Sequence, residues 1–389
     1  MTHVPVVPPP TVSLPPDAPR MIPFLDLKRI NARDRDRLLA AMARVLDSGW
    51  YILGQEVREF ERRFAEYTGV PHAIGVANGM DALTLVFRAL RELGRIAAGD
   101  EVLVPSNTYI ATILALTENR LTPVLVEPDP RTFNMDPARV REAITPRTRA
   151  ILTVHLYGRL GWSPELQAVA DAAGVPIVED AAQSQGAALD GRRAGSLGLA
   201  TGTSLYPGKN LGALGDAGVV TTWDAPLAEA VRTIANYGSQ RKYENRYKGV
   251  NSRLDELQAA MLVVKLDRLD ADNARRRTIA ARYGAGIRNR AIALPEPGPE
   301  GAHVWHLYVV RADDRDELQR HLAAHGIQTL VHYPTPPHQQ PAYAEWADRS
   351  YPIAEAIHRT VLSLPMDPTM SDADVDAVIA TCNTFRGAT

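Results

Sequence analysis

The chain predicts an α/β fold, with a mostly parallel central sheet in a large domain and a smaller C-terminal α+β domain. Three observations carry this. Short apolar runs alternate with amphipathic segments between about residues 73 and 206, the pattern of strands joined by helices. Polar residues stand at the ends of those runs, where ligands sit in open parallel sheets. One lysine, Lys209, lies in a run that carries five glycines from Gly202 to Gly218.

Taken in order, residues 1–20 hold Pro5, Pro8, Pro9, Pro10, Pro15, Pro16 and Pro19. That composition resists packing and predicts a flexible tail. The large domain is expected over residues 21–265 and the small one over 266–389. A helix is predicted over 32–47, with Leu38, Leu39, Met42 and Leu46 at helical spacing. After turn-rich residues 48–54 a second helix carries Val57, Phe60, Phe64 and Tyr67 as its core face, and Gly69 ends it. Strands are predicted at 73–76, 101–105, 122–127, 150–157, 175–180, 201–206 and 217–222. Helices over 81–94, 109–118, 136–144 and 164–173 fall between most of them. Another helix covers 224–236. The polar, aromatic and basic stretch 236–249 reads as a loop, either functional or a solvated surface. Residues 251–258 lead into one long helix expected through about 283. The last segment carries a strand at 305–311, a helix over 314–325 and two closing helices.

Composition narrows the classes. The 389 residues can bury a large core, and 45% apolar with 23% charged residues is ordinary for a globular protein. A net charge of −2 offers no general attraction to nucleic acid or an anionic membrane. The single cysteine, Cys382, excludes an intrachain disulfide and any cysteine-cluster metal site. No apolar run approaches the ~20 residues that span a bilayer, and the N-terminus lacks the layout of a signal peptide. A cytoplasmic protein without a resident metal is expected.

The chemistry-bearing residues follow the strands. A lysine in a Gly-rich loop suits a phosphate-binding loop, a Schiff-base lysine or an ordinary surface position. The phosphate-binding motif G-x-x-x-x-G-K-[ST] is missed, because five residues separate Gly202 from Gly208 and Asn210 follows the lysine. Asn78-Gly79-Met80-Asp81 opens a helix after the first strand. It is a plain cap or a phosphate site made of free N–H groups. Tyr109, after the second strand, would stack on a planar ring or simply pack. Asp180 ends a buried strand and needs a partner there. A cationic ring nitrogen, a helix N-terminus or an arginine would serve. Ser204 stands five residues before Lys209 and suits a phosphate donor.

Together, Asn78-Gly-Met-Asp81, Pro105-Ser-Asn-Thr-Tyr109, Glu179-Asp-Ala-Ala-Gln183, Ser204 to Lys209 and Asn251-Ser-Arg253 resemble the DegT/DnrJ/EryC1/StrS family of sugar aminotransferases that use pyridoxal 5'-phosphate (PLP). The resemblance spans roughly residues 22–385. It implies the aspartate-aminotransferase-like fold (PLP fold type I) and a homodimer with active sites at the interface. It implies that Lys209 forms the Schiff base and moves the proton, and that Asp180 pairs with the pyridine nitrogen. Gln183 would bond the ring's phenolic oxygen, and Tyr109 would stack on its face. Gly79, Met80 and Ser204 would hold the phosphate, with Asn251 reaching it from the other subunit. Some members with histidine in place of the lysine are dehydratases, so Lys209 implies transamination, with L-glutamate as donor and the pyridoxamine form between half-reactions.

A finer resemblance lies in Pro105 to Thr112, Tyr243 to Gln258 and His332 to His338. These stretches resemble the branch that aminates C3 of a dTDP-3-keto-6-deoxyhexose, in biosynthesis of deoxyamino sugars for antibiotics or cell-surface glycans. Tyr243, Lys248, His332 and His338 are the candidate substrate contacts it implies. An ordinary structural hydrogen bond is the alternative for both histidines and for His155. A C4 aminotransferase acting on a dTDP- or UDP-4-keto-sugar, and a regulatory PLP-binding protein without turnover, are the competing functions.

Overall fold

The structure is a computed structural model that describes residues 21–241 and 243–387. The proline-rich segment 1–20 lies outside the described residues. Helices α1 (Leu27–Ala32), α2 (Arg35–Ser48) and α3 (Gln55–Thr68) lead to β1 (His72–Val76) and α4 (Gly79–Glu92). The pattern continues through β2 (Glu101–Pro105), α5 (Ile110–Glu118), β3 (Thr122–Val126), α6 (Pro137–Ala143), β4 (Thr148–Val154), α7 (Pro164–Ala173) and β5 (Ile177–Asp180). A short hairpin, β6 (Ala188–Leu189) and β7 (Arg192–Arg193), precedes β8 (Ala200–Ser204) and β9 (Gly218–Thr222).

Seven strands form one sheet in the order β1-β9-β8-β5-β4-β2-β3. Only β9 runs against the others, pairing antiparallel with both β1 and β8. The reason is the connection. A parallel return needs a crossover, usually a helix, and residues 205–217 contain none, so the chain folds straight back beside β8. The expected mostly parallel sheet is present, and all six parallel strands end on the same edge.

Helix packing brings that edge together. Asn78 caps α4, its side chain accepting from Asp81 N–H at 2.8 Å. The helix then buries Leu83, Val86, Phe87 and Leu90 against the sheet. At Gly202 in β8 a Cβ would stand 2.7 Å from the Leu83 side chain, so glycine there allows the close approach of α4.

Several predicted elements differ in detail. Helix α2 buries Leu38, Ala41 and Val45, while Leu39 and Leu46 face outward. The spacing of the apolar residues fits two overlapping stripes, and contact with α9 (Glu256–Leu266) decides between them. The long helix expected after residues 251–258 and through about 283 is two, α9 and α10 (Leu269–Gly286), broken at Asp267–Arg268. After α8 (Ala225–Ala235), the stretch read as a loop contains a hairpin of β10 (Ser239–Arg241) and β11 (Glu244–Asn245). The strand expected at 150–157 stops at Val154 and turns through residues 156–158.

The C-terminal part has its own core. Strand β12 (Tyr308–Arg311) pairs antiparallel with β13 (Val361–Leu364), a strand not expected from sequence, which separates α12 (Pro352–Thr360) from α13 (Asp372–Thr384). Helix α11 (Arg315–Ala324) and α13 flank them. Ile279 and Tyr283 of α10 join this core, as does Ile22 from the start of the described chain.

Candidate active site

The Lys209 loop is pinned from below. Leu205, Leu211 and Ala213 are buried in the core shared with α3 and α9. Backbone bonds tie Leu205 N–H to Ala217 O at 2.9 Å and Ala213 N–H to Leu205 O at 2.8 Å. Asn210 is locked by Asn273 Oδ1 at 2.8 Å and Val304 O at 3.1 Å. Lys209 itself is half-buried. Among the described residues its amine has no hydrogen bond or ion pair. Burial lowers its pKa to about 8, against an opposing pull from the Asp180 carboxylate. An amine so poised is a proton carrier near neutral pH.

Asp180 points to one face of β5 and Glu179 to the other, as the strand's period of two requires. Asp180 Oδ2 accepts from Thr112 Oγ1 at 2.8 Å and Oδ1 from Ala182 N–H at 3.1 Å. Burial raises its pKa, while Thr112, Ala182 and Lys209 hold it down. Glu179 accepts from Gly195, Leu197 and Gly198 N–H and from Thr201. It also meets His155 Nε2 at 2.8 Å, and His155 Nδ1 accepts from Gly161 N–H. His155 thus has the ordinary structural role weighed from sequence.

Gly79 lies where the α4 N-terminus meets the end of β8. A Cβ there would stand 2.4 Å from Ser204 Cβ. The first N–H groups of α4, those of Gly79 and Met80, have no helical partner by geometry and face this junction with Ser204. N–H groups at a helix N-terminus beside a hydroxyl are donors of the kind a phosphate takes. The buried Asp180 supplies an anion for a ring cation, and Lys209 supplies a low-pKa amine. These residues fit PLP.

Tyr109 is half exposed, its ring 4.9 Å from that of Tyr333. Gln183 is buried. It accepts from Tyr157 N–H at 2.5 Å and donates to Tyr333 Oη at 2.9 Å. Lys209, His332 and Tyr333 line one cleft of about 950 Å³, joined by Tyr206 and His306. His332 Nδ1 meets Ser363 Oγ at 2.9 Å, and burial, then Lys209, lowers its pKa to about 4, so its ring is neutral at physiological pH. His338 is not in this cleft lining. Its ring is 1% exposed, packs on Tyr351 and meets Glu355 Oε1 at 3.1 Å through Nε2. Tyr243, Lys248 and Asn251 are exposed, outside this cleft lining. Thr112, Tyr206, His306 and Tyr333 had no individual role in the sequence reading. Only their neighbourhood to Asp180, Gln183 and Lys209 in space marks them.

A lysine loop after one strand, a buried acid at the end of the next and a helix N-terminus across from both form the layout of a PLP-dependent fold type I aminotransferase. Residues 32–383 match the DegT/DnrJ/EryC1/StrS aminotransferase family. The chain is 56% identical over 365 residues to a dTDP-3-amino-3,6-dideoxy-alpha-D-galactopyranose transaminase of Aneurinibacillus thermoaerophilus, covering 94% of this chain and 99% of the relative. Among solved structures it resembles DesV of S. venezuelae in complex with a ketimine intermediate, with TM-score 0.90, 50% identity and coverage of 94% and 98%. It also resembles ntda of Bacillus subtilis with bound cofactor PMP, with TM-score 0.85, 30% identity and coverage of 93% and 84%. The chain belongs to the DegT/DnrJ/EryC1/StrS aminotransferase family.

Among the described residues no helix is long and apolar enough to cross a membrane, and no group of three or more His, Cys, Asp or Glu is placed to hold a metal ion.

Proposed function

We propose that this chain transfers an amino group from L-glutamate to C3 of a dTDP-3-keto-6-deoxyhexose, using PLP. The observation that carries it is Lys209, an amine lowered to about 8 by burial, in the wall of the cleft and within electrostatic reach of Asp180. The C3 position rests on the 56% identity to a 3-amino-sugar transaminase. When bound, the cofactor supplies the electron sink for carbanion chemistry.

The chain's own residues do the rest. Lys209 would hold the cofactor covalently through its amine. That amine, when free, would take the proton from the donor's α-carbon and pass it to the cofactor in the first half-reaction, and would pass one to C3 of the sugar in the second. Asp180, whose pKa burial raises while Thr112 and Ala182 N–H favour the carboxylate, would face the ring nitrogen and favour its protonated form. The Gly79 and Met80 N–H groups and Ser204 would take the phosphate. Tyr109 would cover the ring, and Gln183 would meet its phenolic oxygen. His332, neutral and at the cleft wall, is a candidate to accept a hydrogen bond from the sugar.

A homodimer completes this reading. Leu46 (68% exposed), Trp50 (64%), Val250 and Leu257 are exposed apolar side chains of the kind a partner subunit would cover. Asn251, Tyr243 and Lys248 would then act in the partner's cleft. A cytoplasmic setting suits the buried, unpaired Cys382.

The test is a half-reaction. The purified enzyme is converted by glutamate to the pyridoxamine form, freed of donor, and given 3-keto or 4-keto dTDP-6-deoxyhexose. Return of the original visible spectrum with the 3-keto sugar alone is expected. Return with the 4-keto sugar alone would overturn the C3 assignment, and no conversion by glutamate would overturn the donor.

A further inference from the structure

Behind the Lys209 loop lies a second, smaller cavity of about 30 Å³. Its walls come from α1 and the turn after it, from the α9–α10 junction, and from Gly208, Lys209 and Asn210. Its charges do not balance. Asp272 is held by Arg33 through bonds of 2.7 and 2.6 Å, and Asp34 by Arg268 through bonds of 2.7 and 2.9 Å. Three further cationic side chains in the wall, Lys209, Lys265 and Arg276, make no ion pair among the described residues, although Asp367 and Asp272 act on Arg276 through space.

Lys265 and Arg276 are short of partners. Arg276 is 3% exposed and bonds backbone carbonyls through Nη1, but its Nε is buried with no partner. Lys265 makes no hydrogen bond or ion pair among the described residues. The Oδ1 of Asn31, in the same wall, is also buried without a partner. Half a turn of that amide exchanges its oxygen for an NH₂ donor at little steric cost. Burying an unpaired cation is costly, and here two meet at one void.

The volume decides what can fill it. About 30 Å³ admits one water-sized species and excludes a carboxylate, phosphate or sulfate. A water molecule would fill the space but leave the positive charge uncompensated. We propose that this cavity binds one monatomic anion of the chloride class, held by Lys265 Nζ and Arg276 Nε with the Asn31 amide turned to donate. The site adjoins the cleft, sharing Leu25, Leu27, Gly208 and Lys209 with it, so occupancy favours the protonated form of the Lys209 amine. Burial, then Arg33, lowers Lys265 to about 8, with Asp272 and Asp34 opposing. Anion affinity therefore weakens as pH rises through that value.

The experiment uses the full-length protein with sodium bromide and sodium chloride as probes. Crystals grown in bromide are expected to show an anomalous peak between Lys265 and Arg276. In solution the protein broadens the chloride NMR line, bromide reverses the broadening, and Lys265→Met largely abolishes it. If that variant does not fold, Asn31→Ala serves in its place. Density for water alone at saturating bromide overturns the proposal. So does broadening that survives in the variant, or a peak in crystals with no broadening in solution, which marks an adventitious ion only.

Discussion

Replacing Lys209 by methionine should stabilise the cofactor-free protein, and by an amount that depends on pH. Lowering an amine from 10.5 to about 8 corresponds to roughly 3.4 kcal/mol of disfavoured charge. That figure is an upper bound, because Lys209 is half-buried and keeps some solvent. Removing the cation also removes one of the influences that lower the Asp180 pKa against burial, which offsets part of the gain. A net stabilisation of about 1–2 kcal/mol near pH 7 is expected. The sign follows from proton binding. Below about pH 8 the lysine is charged in both states, and the folded protein bears the full burial cost. Between about 8 and 10.5 the unfolded chain keeps a proton that the folded one has lost, so the unmodified protein gains stability as pH rises. The advantage of Lys209→Met must therefore shrink across that window. Urea unfolding of both cofactor-free proteins at one fixed concentration, near pH 7 and near pH 10, measures it. A difference that is the same at both pH values, or a variant less stable near pH 7, refutes the reasoning.

Other substitutions separate the site's parts. Thr112→Val removes the 2.8 Å bond to Asp180. Losing a bond to a charged group, worth about 1.5–3 kcal/mol, should weaken PLP binding roughly tenfold to a hundredfold in a fluorescence titration. Gly79→Ala places a Cβ 2.4 Å from Ser204 Cβ. It should cost about 1–3 kcal/mol by overpacking, seen as a lower Tm, and weaken binding of inorganic phosphate to the cofactor-free protein. His338→Ala removes a buried ring and its bond to Glu355. It should lower stability by about 2–3 kcal/mol and leave the KM for the sugar nearly unchanged.

Much of the site was legible because its signals are local. A strand ending in Glu-Asp, a helix opening at Asn-Gly and a lysine among glycines each lie within a few residues, and the strand period alone sets Glu179 and Asp180 on opposite faces. The alternation of apolar runs sufficed for an α/β sheet because burial on both faces leaves a pattern in every strand. Element boundaries and the buried face of α2 were less legible. Leu39 and Leu46 repeat at helical spacing as well as Leu38 and Val45 do, and only the position of α9 selects between them.

What the sequence determined by itself is thus the fold class, most of the element order and the placing of Lys209 and Asp180, the pair proposed to react, at neighbouring strand ends. What the tertiary structure decided is which residues stand around them. Thr112 reaches Asp180 across 68 positions and Tyr333 reaches Gln183 across 150. The direction of β9, the inward burial of His338 and the unbalanced cations behind Lys209 are likewise products of packing. Hydrogen bonds and charge act through distance in space, and a linear chain records only distance along itself.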